Sequence, residues 1–296
     1  MLLKTRQIAF KKLNMRLHIA AGRVKHANYI EPALPHLVHS ITAGSYTLDQ
    51  KVGNPEPTYW FDPETNTSRN SVGLENVGIK VFCERDLPTI IAKLTGSECE
   101  LFISLAPTNA GELDHMCQRI NDHRNQIAGI EINAACPNHY HEGMQSPVLA
   151  HDPDAVEKLL QEATKFDGPK RLKIAPKTSD KTLGALLELC EAYDVETIVS
   201  GNTLSESSVV GGIQRLSMQT GGMAGAGLLD AAVDQFRRLK LLNDRRLSPR
   251  ELIACGGVTG PVGIKRYREV GATDIAIGTY FWEYGVQGVR ELLTAC

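Results

Sequence analysis

The feature that most constrains this chain is a recurrence. Within 296 residues, eight short apolar runs each close on small or polar residues. They are LHIAAG (17–22), LVHSITAG (37–44), LFISLAP (101–107), GIEINAA (129–135), RLKIAPK (171–177), TIVSGNT (197–203), LIACGGV (252–258) and DIAIGT (274–279). Several lack two-residue alternation, as strands buried on both faces of a parallel sheet do. Helical patterns lie between them, over 113–125, 154–165, 182–192, 228–242, 261–270 and 285–293. The second opens on acids and carries Val156, Leu159, Leu160 and Ala163 at helical spacing, and the third carries Leu183, Leu186, Leu187 and Leu189. Strand–helix alternation implies right-handed βαβ units. Eight such units favour a closed (β/α)8 TIM barrel over an open doubly wound sheet, with 1–296 as a single barrel domain.

Two stretches break the rhythm. Asp49 to Cys83 is rich in Asn, Pro, Gly and Thr and reads as an insertion over the barrel mouth, with short strands of its own. Pro137 to Pro153 follows the fourth run and reads as an active-site lid loop. A net charge of −2 without long basic runs argues against a nucleic-acid partner. No window of about 18 residues is apolar enough to span a membrane, and the N-terminus lacks the layout of a secretory signal. The seven cysteines (83, 99, 117, 136, 190, 255 and 296) are odd in number and contain no C-x-x-C pair. That speaks against a zinc ribbon, a redox pair or a disulfide framework, and for a reduced cytoplasmic setting.

In such a barrel the chemistry sits at the C-terminal ends of the strands. There the sequence puts Ala20, Ala21 and Gly22; Asn133, Cys136 and Asn138; Lys173; Asn202 and Thr203; Gly256 and Gly257; and Gly278 and Thr279. A further cluster, 221–225, contains Gly222 and Gly225. The glycine clusters either permit tight turns or let backbone N–H groups approach a phosphate. Lys173, in an otherwise apolar strand, needs a partner. It could be a Schiff-base nucleophile, a fixed charge beside an anionic ring, or half of an internal salt bridge. Cys136 would be partly exposed at the mouth. The amides of Asn133, Asn138 and Asn202, with Asn70 and Asn76 from the insertion, suit a planar ligand with alternating C=O and N–H groups. His139 and His141 read as lid residues, and no metal site is expected.

The order GIEINAACPN, RLKIAPK, SGNTL, GGMAGAG, ACGGVTG and AIGTYF, with GNPEP and NSVGLENVG in the insertion, resembles the dihydroorotate dehydrogenase family, specifically its class 1 members. The resemblance runs from about Leu13 to Leu293. It implies an FMN-dependent oxidoreductase of pyrimidine biosynthesis that converts dihydroorotate to orotate. It implies a cytoplasmic homodimer that passes electrons to an acceptor such as fumarate, NAD through a partner subunit, or oxygen. Cys136 would be the base, taking the C5 proton while the flavin accepts the C6 hydride. Ala20, Ala21, Gly22, Ser45, Asn133 and Lys173 would border the flavin ring. Gly222, Gly225, Gly256, Gly257, Gly278 and Thr279 would line its phosphate and ribityl path. Asn70, Gly73, Leu74, Asn133, Asn138, Asn202 and Thr203 would hold the pyrimidine. Five positions depart from the family pattern: Gly44 replaces a lysine, Thr58 an arginine and Val72 a methionine, while Ala134 and Ala135 replace leucine and serine. The missing lysine touches both flavin and substrate carboxylate in the family, and Arg23 or Lys25 could compensate from the loop after strand one. The departures leave open a related FMN oxidoreductase acting on another dihydropyrimidine or enone, or a flavin-binding homologue without dihydroorotate activity. A flavin-free aldolase using Lys173 is the remaining alternative.

Overall fold

A computed structural model describes residues 15–135, 140–141, 144–145 and 149–295. All eight expected strands form: β1 (Arg16–Ile19), β2 (Ser40–Tyr46), β3 (Glu100–Leu105), β4 (Gly129–Asn133), β5 (Lys170–Ile174), β6 (Thr197–Ser200), β7 (Glu251–Cys255) and β8 (Asp274–Ile277). They close into one parallel barrel, with β1 paired to both β2 and β8. The helices are α1 (Leu87–Leu94), α2 (Ala110–Asn121), α3 (Pro153–Ala163), α4 (Asp180–Ala192), α5 (Leu229–Asn243), α6 (Pro261–Glu269) and α7 (Thr279–Ala295). The architecture is the (β/α)8 barrel that the strand rhythm implies.

Local chemistry explains where elements start and stop. Asn109, Asp152 and Ser179 cap α2, α3 and α4 by accepting bonds from free backbone N–H groups of the first turn. Between β1 and β2 the chain makes only two single 3-10 turns, Ala27–Tyr29 and Leu34–His36, because Pro32 and Pro35 interrupt any longer helix. The insertion ends earlier than expected. A helical turn, Gly78–Val81, runs through a π-turn, Phe82–Asp86, into α1. Pro88, which has no N–H to give the preceding turn, sits just after that widening. The last helix begins at Thr279, not Gly285, since Gly285 is a kink at φ 55° between two helical pieces.

The strands separate two kinds of interior. Outward side chains such as Ile130, Ile132, Leu172 and Ile174 join the apolar layer against the helices. Inside the barrel a small apolar group, Ala20, Val199, Ile253, Cys255 and Ala276, shares space with buried polar residues including Ser104, Glu131, Asn133, Arg171 and Lys173. The outer layer is tied by polar contacts too. Buried Gln235 on α5 donates to the Ala175 carbonyl and accepts from the Thr178 N–H, both at 2.8 Å, holding the chain after β5 onto the helix.

Over the mouth lies a four-stranded antiparallel sheet. The insertion supplies the hairpin Tyr59–Asp62 and Thr67–Asn70. Its other half, Leu204–Ser207 and Thr220–Gly225, comes from the segment after β6. The short strands in the insertion were legible as such, whereas the 221–225 cluster, which reads as a phosphate loop, is a strand of this cap.

The opposite end is closed by a polar relay. The Arg171 guanidinium donates to Ser40 Oγ at 3.2 Å, Ser40 Oγ lies 2.7 Å from His18 Nδ1, and His18 Nε2 lies 2.8 Å from Asp274 Oδ1. Arg16 completes it at 2.6 Å from the same carboxylate oxygen. Burial pulls the His18 imidazole below its ordinary value, outweighing Asp274. Burial pushes the Asp274 carboxyl up, but the bonds from His18 and Arg16 win and hold it at about 2.

Two outcomes follow from this framework. Gln235→Leu strips two buried backbone groups of their partner, so its expected cost is about 2–4 kcal/mol in urea unfolding. His18 has its folded pKa below the unfolded value of about 6.5, so the unfolded chain gains protons first as pH falls, and the stability His18 confers is lost below that pH. Asp274, also depressed, adds its loss between about pH 4 and pH 2. Comparing denaturation midpoints near pH 7.5 and pH 5.5 should therefore show a smaller decline in His18→Gln than in the native chain.

Candidate active site

The strands deliver a constellation of side chains to one cavity between the barrel mouth and the cap sheet. Ala20, Ala21 and Gly22 reach it from β1, Ser45 from β2, Asn133 from β4 and Lys173 from β5. Asn202 and Thr203 follow β6, Gly256 and Gly257 follow β7, and Gly278 and Thr279 follow β8. The cap contributes Asn70, Leu74 and Gly225. Residues expected at scattered points of the sequence thus share one space.

Two expected residues do not face it. Gly222 lies in the cap strand, where a Cβ would stand 2.1 Å from Thr203 Oγ1. Its bareness lets Thr203 pack, and its carbonyl accepts from Asn70 Nδ2 at 3.2 Å. Gly73 (φ 71°) makes a turn whose Cβ would strike Asn54. Asn76 is also diverted, since its amide bonds Thr47 Oγ1, the Leu74 carbonyl and the Gly78 N–H. Cys136, Asn138 and His139 lie outside the described residues, as do 137, 142–143 and 146–148 of the lid segment.

The cavity's electrostatics are one-sided. Arg23, Lys25 and Lys173 line it, and among the described lining residues there is no Asp or Glu. Lys173 is 3% exposed, and its ammonium has neither an ion-pair nor a hydrogen-bond partner among the described residues. The internal salt bridge considered from sequence is therefore not found there. Nearby Glu131 instead accepts from Ser104 Oγ at 3.2 Å, and its register partner on β5 is Arg171. Burial pushes the Cys255 thiol up, while Lys173 draws it partly back. A buried cation without a counter-charge is stabilised by any anion that enters.

The amides also organise the backbone. Asn133 Nδ2 donates to Ser45 Oγ at 2.9 Å, and Asn133 Oδ1 accepts the Ala135 N–H at 3.2 Å. Asn202 Nδ2 donates to the Ala135 carbonyl at 3.0 Å. Ala135, directly before position 136, is thus gripped on both sides of its backbone by two residues that line the cavity.

The glycines divide into the two readings the sequence left open. Gly257 is a packing glycine, as a Cβ there would stand 2.3 Å from Leu229 Cα. Gly22 and Gly278 are open glycines, with nothing within 4 Å of a Cβ. The N–H groups of Gly256, Gly257 and Gly278 have no acceptor among the described residues, and α7 starts immediately beyond. Unpaired N–H groups at a helix N-terminus, open glycines and an uncompensated lysine fit a planar ligand carrying a phosphate. Sequence reasoning missed Tyr59, Trp282 and Cys255 as lining residues. The aromatic pair stacks at 5.1 Å across the edge of the cavity, and its only sequence signal was two aromatics, one in the insertion and one after β8.

A closed parallel barrel with a cationic, amide-lined cleft at its C-terminal mouth belongs to the class of (β/α)8-barrel enzymes that act on anionic small molecules. Comparison with known proteins narrows this. The family model described as dihydroorotate dehydrogenase matches residues 3–294. Among curated relatives, dihydroorotate dehydrogenase A (fumarate) of Lactococcus lactis is 29% identical over 256 residues, covering 82% of this chain and 78% of the relative. The NAD(+) type catalytic subunit of Geobacter metallireducens is 26% identical over 281 residues, covering 87% and 86%. The quinone-type enzyme of Chloroflexus aurantiacus is 28% identical over 266 residues, covering 83% and 68%. The solved DHODH–ferulenol complex from Eimeria tenella has the same fold, with a TM-score of 0.73 at 16% identity over 95% of this chain and 80% of that one. The chain belongs to the dihydroorotate dehydrogenase family. Among the described residues no group of His, Cys, Asp or Glu is placed to hold a metal, and no helix is long and apolar enough to cross a membrane.

Lys173→Met should preserve the fold and weaken binding of added FMN, used as a phosphate-bearing anionic probe, by about tenfold or more. Absorbance titration of apoprotein with FMN reads the change.

Proposed function

We propose that this protein is an FMN-dependent dihydroorotate dehydrogenase with Cys136 as its base. The observation that carries the reading is the cavity: three cations, several amides and no carboxylate among the described lining residues, in a chain of this family. FMN supplies the two-electron oxidising power. Gly278 and Thr279, with Gly256 and Gly257, would hold its phosphate end. Ala20, Ala21, Gly22 and Ser45 would border its ring, and Lys173 would supply a fixed positive charge beside it.

The chain's own part in the reaction is to bind, orient and move a proton. Asn70, Asn133, Asn202 and Thr203, with Asn138, present donors and acceptors to a flat ring. Cys136 removes the proton from C5 of dihydroorotate as thiolate. An unperturbed thiol near pKa 8.5 is a suitable base at mildly alkaline pH. The grip of Asn133 and Asn202 on Ala135 supports a fixed origin for that sulfur. An external acceptor reoxidises the enzyme. In this reading it serves pyrimidine biosynthesis as a cytoplasmic homodimer.

One observation favours a second reading. Gly44 stands where the family pattern has lysine, and a Cβ there would lie 2.7 Å from the Ser104 carbonyl oxygen. No side chain from that position can reach a substrate carboxylate, so an uncharged dihydropyrimidine is the competing substrate. Anaerobic addition of dihydroorotate to the yellow protein separates the two. We expect rapid bleaching of the flavin, slowed by about 10²–10⁴ in Cys136→Ala. A spectrum unchanged by dihydroorotate but bleached by an uncharged dihydropyrimidine would establish the second reading.

A further inference from the structure

The loop after β1 is fastened to β2 in a way that delivers one cation to the cavity. Gly22 N–H donates to the Gly44 carbonyl at 2.7 Å, and Gly44 N–H donates to the Val24 carbonyl at 2.9 Å. One residue on, Tyr46 Oη donates to the Lys25 carbonyl at 2.9 Å. Tyr46 is itself fully buried and stacked on Phe82 at 3.8 Å. The backbone of Lys25 is therefore held by a rigid strand, with both backbone polar groups of Gly44 engaged by the loop.

The three cations of the cavity are not equivalent. Arg23 is engaged over the rings of Tyr29 and Trp282, at 4.6 and 4.4 Å from their centroids. Lys173 rises from the barrel strand itself, register-paired with Asn133 and Val199, beside Cys255. Lys25 lies at the junction of the main cavity and an adjoining cleft beneath the insertion, lining both. Its ammonium donates to the Glu75 backbone carbonyl, the one hydrogen-bond acceptor it has among the described residues for three donors, and the Glu75 carboxylate acts on it as well. The loop that offers this carbonyl is fixed by Asn76 and includes Leu74, held at φ 57° and lining the same cavity.

We propose that Lys25 is the specificity-determining cation of this site, receiving the exocyclic carboxylate of a six-membered ring substrate in place of any residue at position 44. The proposal rests on the dihydroorotate reading above. It makes recognition of the acid group a property of the β1 loop, while Gly44 serves only as its landing place.

The test is calorimetric titration of the purified flavin-loaded protein with orotate and with uracil, which has the ring without the carboxylate. The native protein should bind orotate at least about 30-fold more tightly than uracil, the scale set by a paired charge in a shielded site. Lys25→Met should abolish most of that preference while leaving uracil affinity and flavin content within about twofold, and Lys25→Arg should retain much of it. Unchanged uracil binding shows that the variant's site is folded. If Lys25→Met keeps the native orotate preference, the assignment of Lys25 is overturned and the dihydroorotate reading stands. If the native protein itself does not prefer orotate, the carboxylate substrate is wrong and the assignment falls with it.

Discussion

The mouth of this barrel is arranged around a buried positive charge that meets no ion-pair partner among the described residues. Lys173 sits on a strand buried on both faces, and its ammonium has no partner among the described residues. Desolvating such a group costs several kcal/mol unless something returns the lost interaction. The other end of the barrel shows the alternative. There Arg171, Ser40, His18, Asp274 and Arg16 form a connected relay, so the buried Asp274 carboxylate meets its partners within the fold. The two ends divide the labour expected of such barrels, with carboxylate and cations paired at the base and the ligand-binding groups gathered at the mouth.

The barrel was legible because its signal is periodic and local. Each of the eight apolar runs overlaps one barrel strand, and residues such as Val156, Leu159, Leu160 and Ala163 fell on the buried face of one helix. Leu189 broke the pattern, with Cys190 taking the buried position instead. Helix boundaries depended on features a periodicity does not carry, such as the Gly285 kink and the π-turn before Pro88. The cap was half legible. The insertion announced itself by composition, but 204–225 disclosed its role only through pairing with a hairpin about 150 residues earlier.

For the site, residues at strand ends were readable because the fold fixes where strand ends converge. Asn133, Lys173, Asn202, Gly256 and Gly278 all line the cavity for that reason. Glycines and asparagines outside the barrel were less readable, since the same residue type serves turns and ligands alike. Gly73, Gly222 and Asn76 proved to be committed to packing or backbone bonding. The distinction lies in what occupies the space where a Cβ would be, and that is a tertiary fact.

The cap sheet has a kinetic consequence. Its central pairing joins Asn70 to Gly222, residues separated by 152 positions. Long-range pairings of this kind form only after the intervening chain has found its place, because loop closure must be met before the contact is gained. The roof over the cleft therefore needs the chain between Asn70 and Gly222 in place before its central strands can pair. Partly folded chains would have no finished chamber in which to hold a ligand, and binding would select and stabilise only molecules that have completed the journey.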